Sequence, residues 1–131
     1  MTRAPDTVGE VMTREVVAVS PDDPVERAVR SMIDHEIGAV VVLEGKAPVG
    51  ILTERDLMRR MLDERDVLSV RVDAVMSSPV VTTGPDVEMV DAFDLMNARN
   101  VRRLPVVERD GLVGIVTERD LLRWVSAVAA E

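Results

Sequence analysis

The sequence predicts a mixed α/β fold made of two copies of one β-α-β-β-α unit, related by a pseudo-twofold axis. Three observations carry this expectation. Sliding the chain by 64 residues lays it on itself without a gap: Val8, Val11 and Met12 fall on Val72, Val75 and Met76, Pro21-Asp22 falls on Pro85-Asp86, and Val49-Gly50-Ile51 falls on Val113-Gly114-Ile115. A repeat of this length is one supersecondary unit, and two such units can cover each other's apolar faces. Within each copy, apolar residues first recur at spacings of three and four and then give way to β-branched runs, so helix is followed by strand. Finally, both copies carry the same TERDL, at Thr53–Leu57 and Thr117–Leu121, where an apolar strand runs directly into a helix.

The elements follow in order. A short helical lead-in ending at Met12, echoed by one ending at Met76, precedes each unit. Val16 to Val19 form a short apolar strand, closed by the turn Ser20-Pro21-Asp22-Asp23. Pro24 then stands where a first helical position needs no N–H. In the helix that follows, Val25, Ala28, Val29, Met32 and Ile33 line one face, as a core-facing helix requires. The runs Ala39 to Leu43 and Pro48 to Leu52, joined by Glu44-Gly45-Lys46, read as a hairpin. Thr53 opens the second helix. The later copy repeats this order, with Glu108-Arg109-Asp110-Gly111 as its hairpin turn and a last helix through Ala130. Asp63 to Val70 is a short, charged connector, which divides the chain into a first repeat over residues 1–66, lead-in included, and a second over residues 67–131.

Composition narrows the function. A chain of 131 residues with 47% hydrophobic residues suits one packed unit or two small halves sharing a core. Its formal net charge of −8 opposes non-specific binding to nucleic acid or to an anionic membrane surface. Without cysteine there is no disulfide framework, thiol nucleophile or thiolate metal site. The opening MTRAPDTVGEVM has no apolar signal core, and no run reaches the roughly 18 apolar residues of a membrane span. The expectation is a soluble, cytoplasmic protein. There is no P-loop, no Ser/His/Asp set and no carboxylate pair in an obviously apolar setting, so no catalytic apparatus is expected. His35, the sole histidine, lacks a second imidazole for a metal site. Trp124, which replaces Arg60 in the repeat, suits a core edge or a subunit interface, and the eight methionines are adaptable core filling.

The repeated Thr-x-x-Asp has two readings. A threonine at a helix N-cap with an acid three residues on is a capping box, in which the hydroxyl accepts a backbone N–H and the acid reaches back. Glu54 and Glu118 already place negative charge in the first turn, where it suits the helix dipole, so each aspartate is also available for other work. Gly50 to Asp56 and Gly114 to Asp120, together with the entry segment VMTREVVAVSPDDPVERAV and the strand VRRLPVV, resemble the CBS domain, and two in tandem resemble a Bateman module. The resemblance covers nearly the whole chain. It implies a regulatory module that binds an adenine nucleotide, AMP first and otherwise ADP, ATP or S-adenosylmethionine, with no required cofactor and no metal. A ligand-free dimerisation or scaffolding module is the alternative.

The resemblance also implies which residues would meet a ligand. Asp56 and Asp120 would take the two ribose hydroxyls, and Thr53 and Thr117 would contact ribose or phosphate. One cleft would join Thr53 and Asp56 to Val80, Val81, Arg102 and Leu104; the other would join Thr117 and Asp120 to Val16, Val17, Gly38, Ala39 and Val40. Arg102 and Arg103 have Gly38 and Ala39 as repeat counterparts, so the halves differ there in charge. Guanidinium groups suit phosphate, which makes the first cleft the expected phosphate-bearing one. Apolar residues on the helices after each TERD, including Leu57, Met58, Met61, Leu122, Trp124 and Val125, imply a homodimer, as the resemblance does; a regulated protein partner is implied without being named.

Overall fold

The computed structural model describes residues 7–130. In chain order its elements are α1 (Val8–Val11), β1 (Ala18–Val19), α2 (Val25–His35), β2 (Ala39–Glu44), β3 (Ala47–Thr53), α3 (Glu54–Met61), the 3₁₀ turns Val67–Ser69 and Val72–Ala74, α4 (Met89–Arg99), β4 (Arg103–Glu108), β5 (Gly111–Thr117) and α5 (Glu118–Ala130). The mixed α/β architecture is the one the sequence predicts. Two elements are shorter than expected: the first strand is confined to Ala18–Val19, and its counterpart near Val80 is reduced to a single bridge at Thr83. The second lead-in is a 3₁₀ turn where the first is a short α-helix.

The chain divides into two compact units that do not follow the sequence repeats. One is Val16–Val80, and the other joins the described residues up to Glu15 with those from Val81 onward. Each repeat's lead-in therefore belongs to the unit of the other repeat. The backbone bonding is duplicated along with the sequence. The N–H groups of Val8 and Gly9 donate to the carbonyls of Val87 and Pro85 at 2.9 and 2.8 Å, and those of Val72 and Asp73 donate to Asp23 and Pro21 at 2.8 and 2.9 Å. Downstream, Thr13 and Ile115 exchange both backbone bonds, as Ser77 and Ile51 do.

In the Val16–Val80 unit the sheet order is β1-β2-β3, with β1 parallel and β3 antiparallel to β2. The β2–β3 turn places Gly45 at φ +64°, a left-handed conformation that glycine adopts without a Cβ penalty. Val25, Ala28 and Met32 from α2 pack on Val40, Val42 and Leu52 of the hairpin, and Val67 of the connector and Val72 of the second lead-in close the core. Full burial of a Val or Leu side chain contributes roughly 1.5–3 kcal/mol, so each lead-in residue seated here matters. At the second lead-in, the Arg71 guanidinium donates two hydrogen bonds to Asp73, at 3.1 and 2.9 Å. That pairing holds the Asp73 carboxyl below, and Arg71 above, its ordinary range.

In the other unit β4 and β5 form an antiparallel pair, and Thr83 joins β4 in parallel at Val106. Met89, Ala92 and Met96 of α4 pack on Leu104, Val106 and Val116, while Val8 of α1 is wholly buried in the same core. Both long helices before the hairpins end in a left-handed residue, Glu36 at φ 53° and Asn100 at φ 54°, after which Ile37 and Val101 donate back to Met32 and Met96. This closure satisfies carbonyls that the last helical turn leaves free.

Candidate functional site

The two strand-to-helix junctions are built alike. β3 delivers Thr53 to the N-cap of α3, where its backbone N–H and hydroxyl donate to Asp56 Oδ2 at 2.9 and 3.0 Å, and the Asp56 N–H returns to Thr53 Oγ1 at 3.1 Å. β5 delivers Thr117 to α5, with the corresponding distances 2.8, 3.1 and 3.4 Å to and from Asp120. Both pairs are thus capping boxes. In each, the cap uses only one carboxylate oxygen.

The second oxygen distinguishes the copies. Asp56 Oδ1 accepts the Ser77 hydroxyl at 2.8 Å. Asp120 Oδ1 has the exposed Arg123 guanidinium at 4.0 Å, beyond hydrogen-bonding range. Asp120 is only 6% exposed, against a half-buried Asp56. A carboxylate has about four acceptor positions, so Asp120 combines burial with an oxygen that the cap leaves uncommitted.

Each junction lies beside the start of its own unit's hairpin. Arg103 stands opposite Thr117 in the β4–β5 register, Glu118 N–H donates to the Arg102 carbonyl at 2.9 Å, and Arg102 Nε lies 3.7 Å from Glu118 Oε2. Arg102 is exposed and Arg103 half-buried. In the other unit Ala39 stands opposite Thr53, and Glu54 N–H donates to the Gly38 carbonyl at 3.0 Å. Arg103 is therefore the cross-strand neighbour of Thr117, and Arg102 lies beside Glu118. Val16, Val17 and Val80 are half-buried in the Val16–Val80 unit, and Val81 is half-buried in the other. Val40 and Leu104 belong to the hydrophobic cores, at 1% and 0% exposure.

Ser77 carries no motif of its own in the sequence. The signal was its repeat partner, Thr13, which also follows a methionine; only the exchange of lead-ins brings such a residue to the strand before the junction. His35 is exposed on α2, where its Nδ1 lies 2.9 Å from the Ser31 carbonyl. Trp124 packs at the edge of its unit's core, and its buried indole N–H finds no hydrogen-bond partner among the described residues. Among the described residues no group of three or more His, Cys, Asp or Glu could hold a metal ion, and no helix is long and apolar enough to cross a membrane.

Comparison with known proteins places these junctions in a wider set. The family model for the CBS domain matches residues 8–63 and again 65–127. The chain is 36% identical to the CBS domain-containing protein YhcV of Bacillus subtilis, over 88% of this chain and 82% of that protein. It is 39% identical to the protein MK0525 of Methanopyrus kandleri over 89% of this chain, and spans 61% of that relative's length. Among solved structures, the CBS domain pair of protein MJ0100, in complex with 5′-methylthioadenosine and S-adenosyl-L-methionine, superposes with a TM-score of 0.80 at 22% identity, covering 92% of this chain and 95% of that one. At that identity the likeness is one of fold.

Proposed function

The chain belongs to the CBS-domain family as a tandem pair, and from that premise we propose that it is a regulatory module binding an adenosyl ligand, AMP being the first to test. The observation that carries this reading is Asp120: a buried carboxylate with one oxygen held by a helix cap and the other free of hydrogen bonds among the described residues, the exposed Arg123 guanidinium lying 4.0 Å from it, with Arg103 on the strand opposite Thr117. A ribose offers two adjacent hydroxyls that such an acceptor recognises, with charge-assisted bonds stronger than neutral ones. Arg102 and Arg103 supply guanidinium groups for phosphate, which favours AMP, ADP or ATP over S-adenosylmethionine. The adenosyl compounds bound by the MJ0100 pair support the ligand class.

In this proposal Thr117, Asp120, Arg102, Arg103 and Val81 contribute to the phosphate-bearing site. Thr53 and Asp56, with Val16, Val17, Gly38 and Ala39, contribute to one without basic groups. The function is binding, not catalysis, in a cytoplasmic setting, and the ligand acts by favouring one state of the module over another when it docks on a regulated partner. A melting-temperature screen with AMP, ADP, ATP and S-adenosylmethionine tests it, because a ligand selective for the folded state raises the transition. No shift with any of the four at millimolar concentration would sink the reading.

One observation favours a second reading, an interaction module. In the Val16–Val80 unit Ile33, Met58, Met61 and Leu62 are 60–87% exposed, and Ile33 lines an open groove together with Val29, Ile37 and Leu57. Apolar exposure of this kind marks an association surface, and we expect a homodimer. Sedimentation showing only a 14.4 kDa species at micromolar concentration counts against it.

A further inference from the structure

We propose that the Ser77 hydroxyl is a built-in competitor for the sugar-binding oxygen of Asp56, so that the two Thr-x-x-Asp junctions are a closed and an open form of one acceptor. The inference rests on the adenosyl-ligand reading above and names its selectivity. The two junctions share the same cap bonds to Oδ2, and the same pair of backbone bonds zips each lead-in to the strand before the junction, Ser77 with Ile51 and Thr13 with Ile115. They differ at the side chain. Ser77 Oγ donates to Asp56 Oδ1 at 2.8 Å, whereas among the described residues the Thr13 hydroxyl donates nothing to Asp120.

The chemistry of a vicinal diol makes that difference matter. Oδ2 of each aspartate already accepts two donors from its threonine, so Oδ1 is where a sugar hydroxyl gains most. At Asp120 that oxygen is available. At Asp56 an incoming ribose must first displace Ser77 and give up a charge-assisted hydrogen bond. Ligand should therefore fill the Asp120 site first and the Asp56 site only at higher concentration, which gives the module two thresholds for one ligand. The displacement also has a mechanical outcome. Ser77 follows Met76, whose sulfur packs against Gly50, so a ligand at Asp56 releases a side-chain tether on the second lead-in.

Amide resonances of residues 53–56 and 117–120 in the full chain read the two sites separately during titration with AMP and with 2′-deoxy-AMP. In the wild type the 117–120 set should saturate at the lower AMP concentration. Ser77→Ala should tighten AMP binding at the 53–56 set by about three- to tenfold, the net worth of such a bond at a solvent-accessible site, and leave the 117–120 set unchanged. The gain should shrink for 2′-deoxy-AMP, which lacks one of the competing hydroxyls; a purely structural role for Ser77 would move both ligands alike. Unchanged or weaker AMP binding at 53–56 in Ser77→Ala, or an equal gain for the deoxy ligand, overturns the competitor role while leaving the adenosyl reading intact. If neither AMP nor S-adenosylmethionine shifts either set in either protein, the adenosyl reading falls and the competitor role with it.

Discussion

At the scale of single residues, the aspartates of the TERD motif cap their helices and, under the proposed function, also take the sugar, two duties that one variant can weigh against each other. Asp120→Ala removes the reciprocal half of a capping box, which costs up to about 1 kcal/mol of stability, and under the proposed function also removes a charged acceptor for the sugar, weakening binding by about 1.5–3 kcal/mol or more. Melting and calorimetric titration on the same sample measure both. A melting point that drops while affinity per folded molecule stays constant would reduce the motif to its capping role. For the arginines, replacing Arg102 and Arg103 together by alanine should cost affinity in proportion to phosphate charge: adenosine little, AMP more, and S-adenosylmethionine, a cation, nothing or a slight gain. Equal losses for all three would mean that the arginines only shape the site. The capping box was legible in the sequence because Thr and Asp three apart act within one helical turn. The state of the second carboxylate oxygen was not, since it depends on a serine 21 residues downstream.

At the scale of elements, helix ends and strand faces set the next tests. The sequence places α2 correctly by the spacing of Val25, Ala28 and Met32, but nothing in it announces that Glu36 takes a left-handed conformation to close the helix. A non-glycine residue there is strained by roughly 1–2 kcal/mol, and Asn100 holds the matching position with a side chain better suited to it. Glu36→Gly should therefore raise stability by up to about 1 kcal/mol, read as a higher urea midpoint at unchanged slope; a lower midpoint would mean that the glutamate makes compensating interactions. Gly114 poses the reverse case. A Cβ there would lie 2.6 Å from Met12 Sδ and 2.9 Å from the Thr13 carbonyl oxygen, so backbone as well as side chain would have to move. Gly114→Ala should destabilise by about 1–3 kcal/mol and loosen residues 7–13 first, visible as faster amide exchange at Thr13 than in the wild type.

At the scale of the whole molecule, the repeat pattern shows two copies of one unit, whereas the compact units of the fold are cut at a different phase. A repeat of 64 residues fixes how many units there are and which residues correspond, but any phase of cutting satisfies the same periodicity. Apolar contacts decide the phase: Val67 and Val72 are 5% and 0% exposed in a core whose strands precede them, and Val8 is fully buried among residues that begin at Met89. A fragment spanning Val16–Val80 should consequently show more ordered structure by circular dichroism and a sharper thermal transition than one spanning residues 1–66, although the second matches the sequence repeat. The opposite ranking would show that the lead-in contacts contribute little.

That exchange of lead-ins also sets an order of events on the ribosome. Val16–Val80 is one uninterrupted stretch and can close its core as soon as it has emerged, with its contacts no farther apart than its own length. The segment around Val8 and Met12 is made earlier but seats on β5, so Thr13 waits roughly a hundred residues of synthesis for Ile115. Such a long-range closure adds little to the entropic cost, which grows only with the logarithm of loop length, but it adds time, because distant pairings are slow to form. Throughout that interval the nascent chain carries an uncovered valine and methionine ahead of a finished unit, and a segment synthesised before that unit is the one that completes the other.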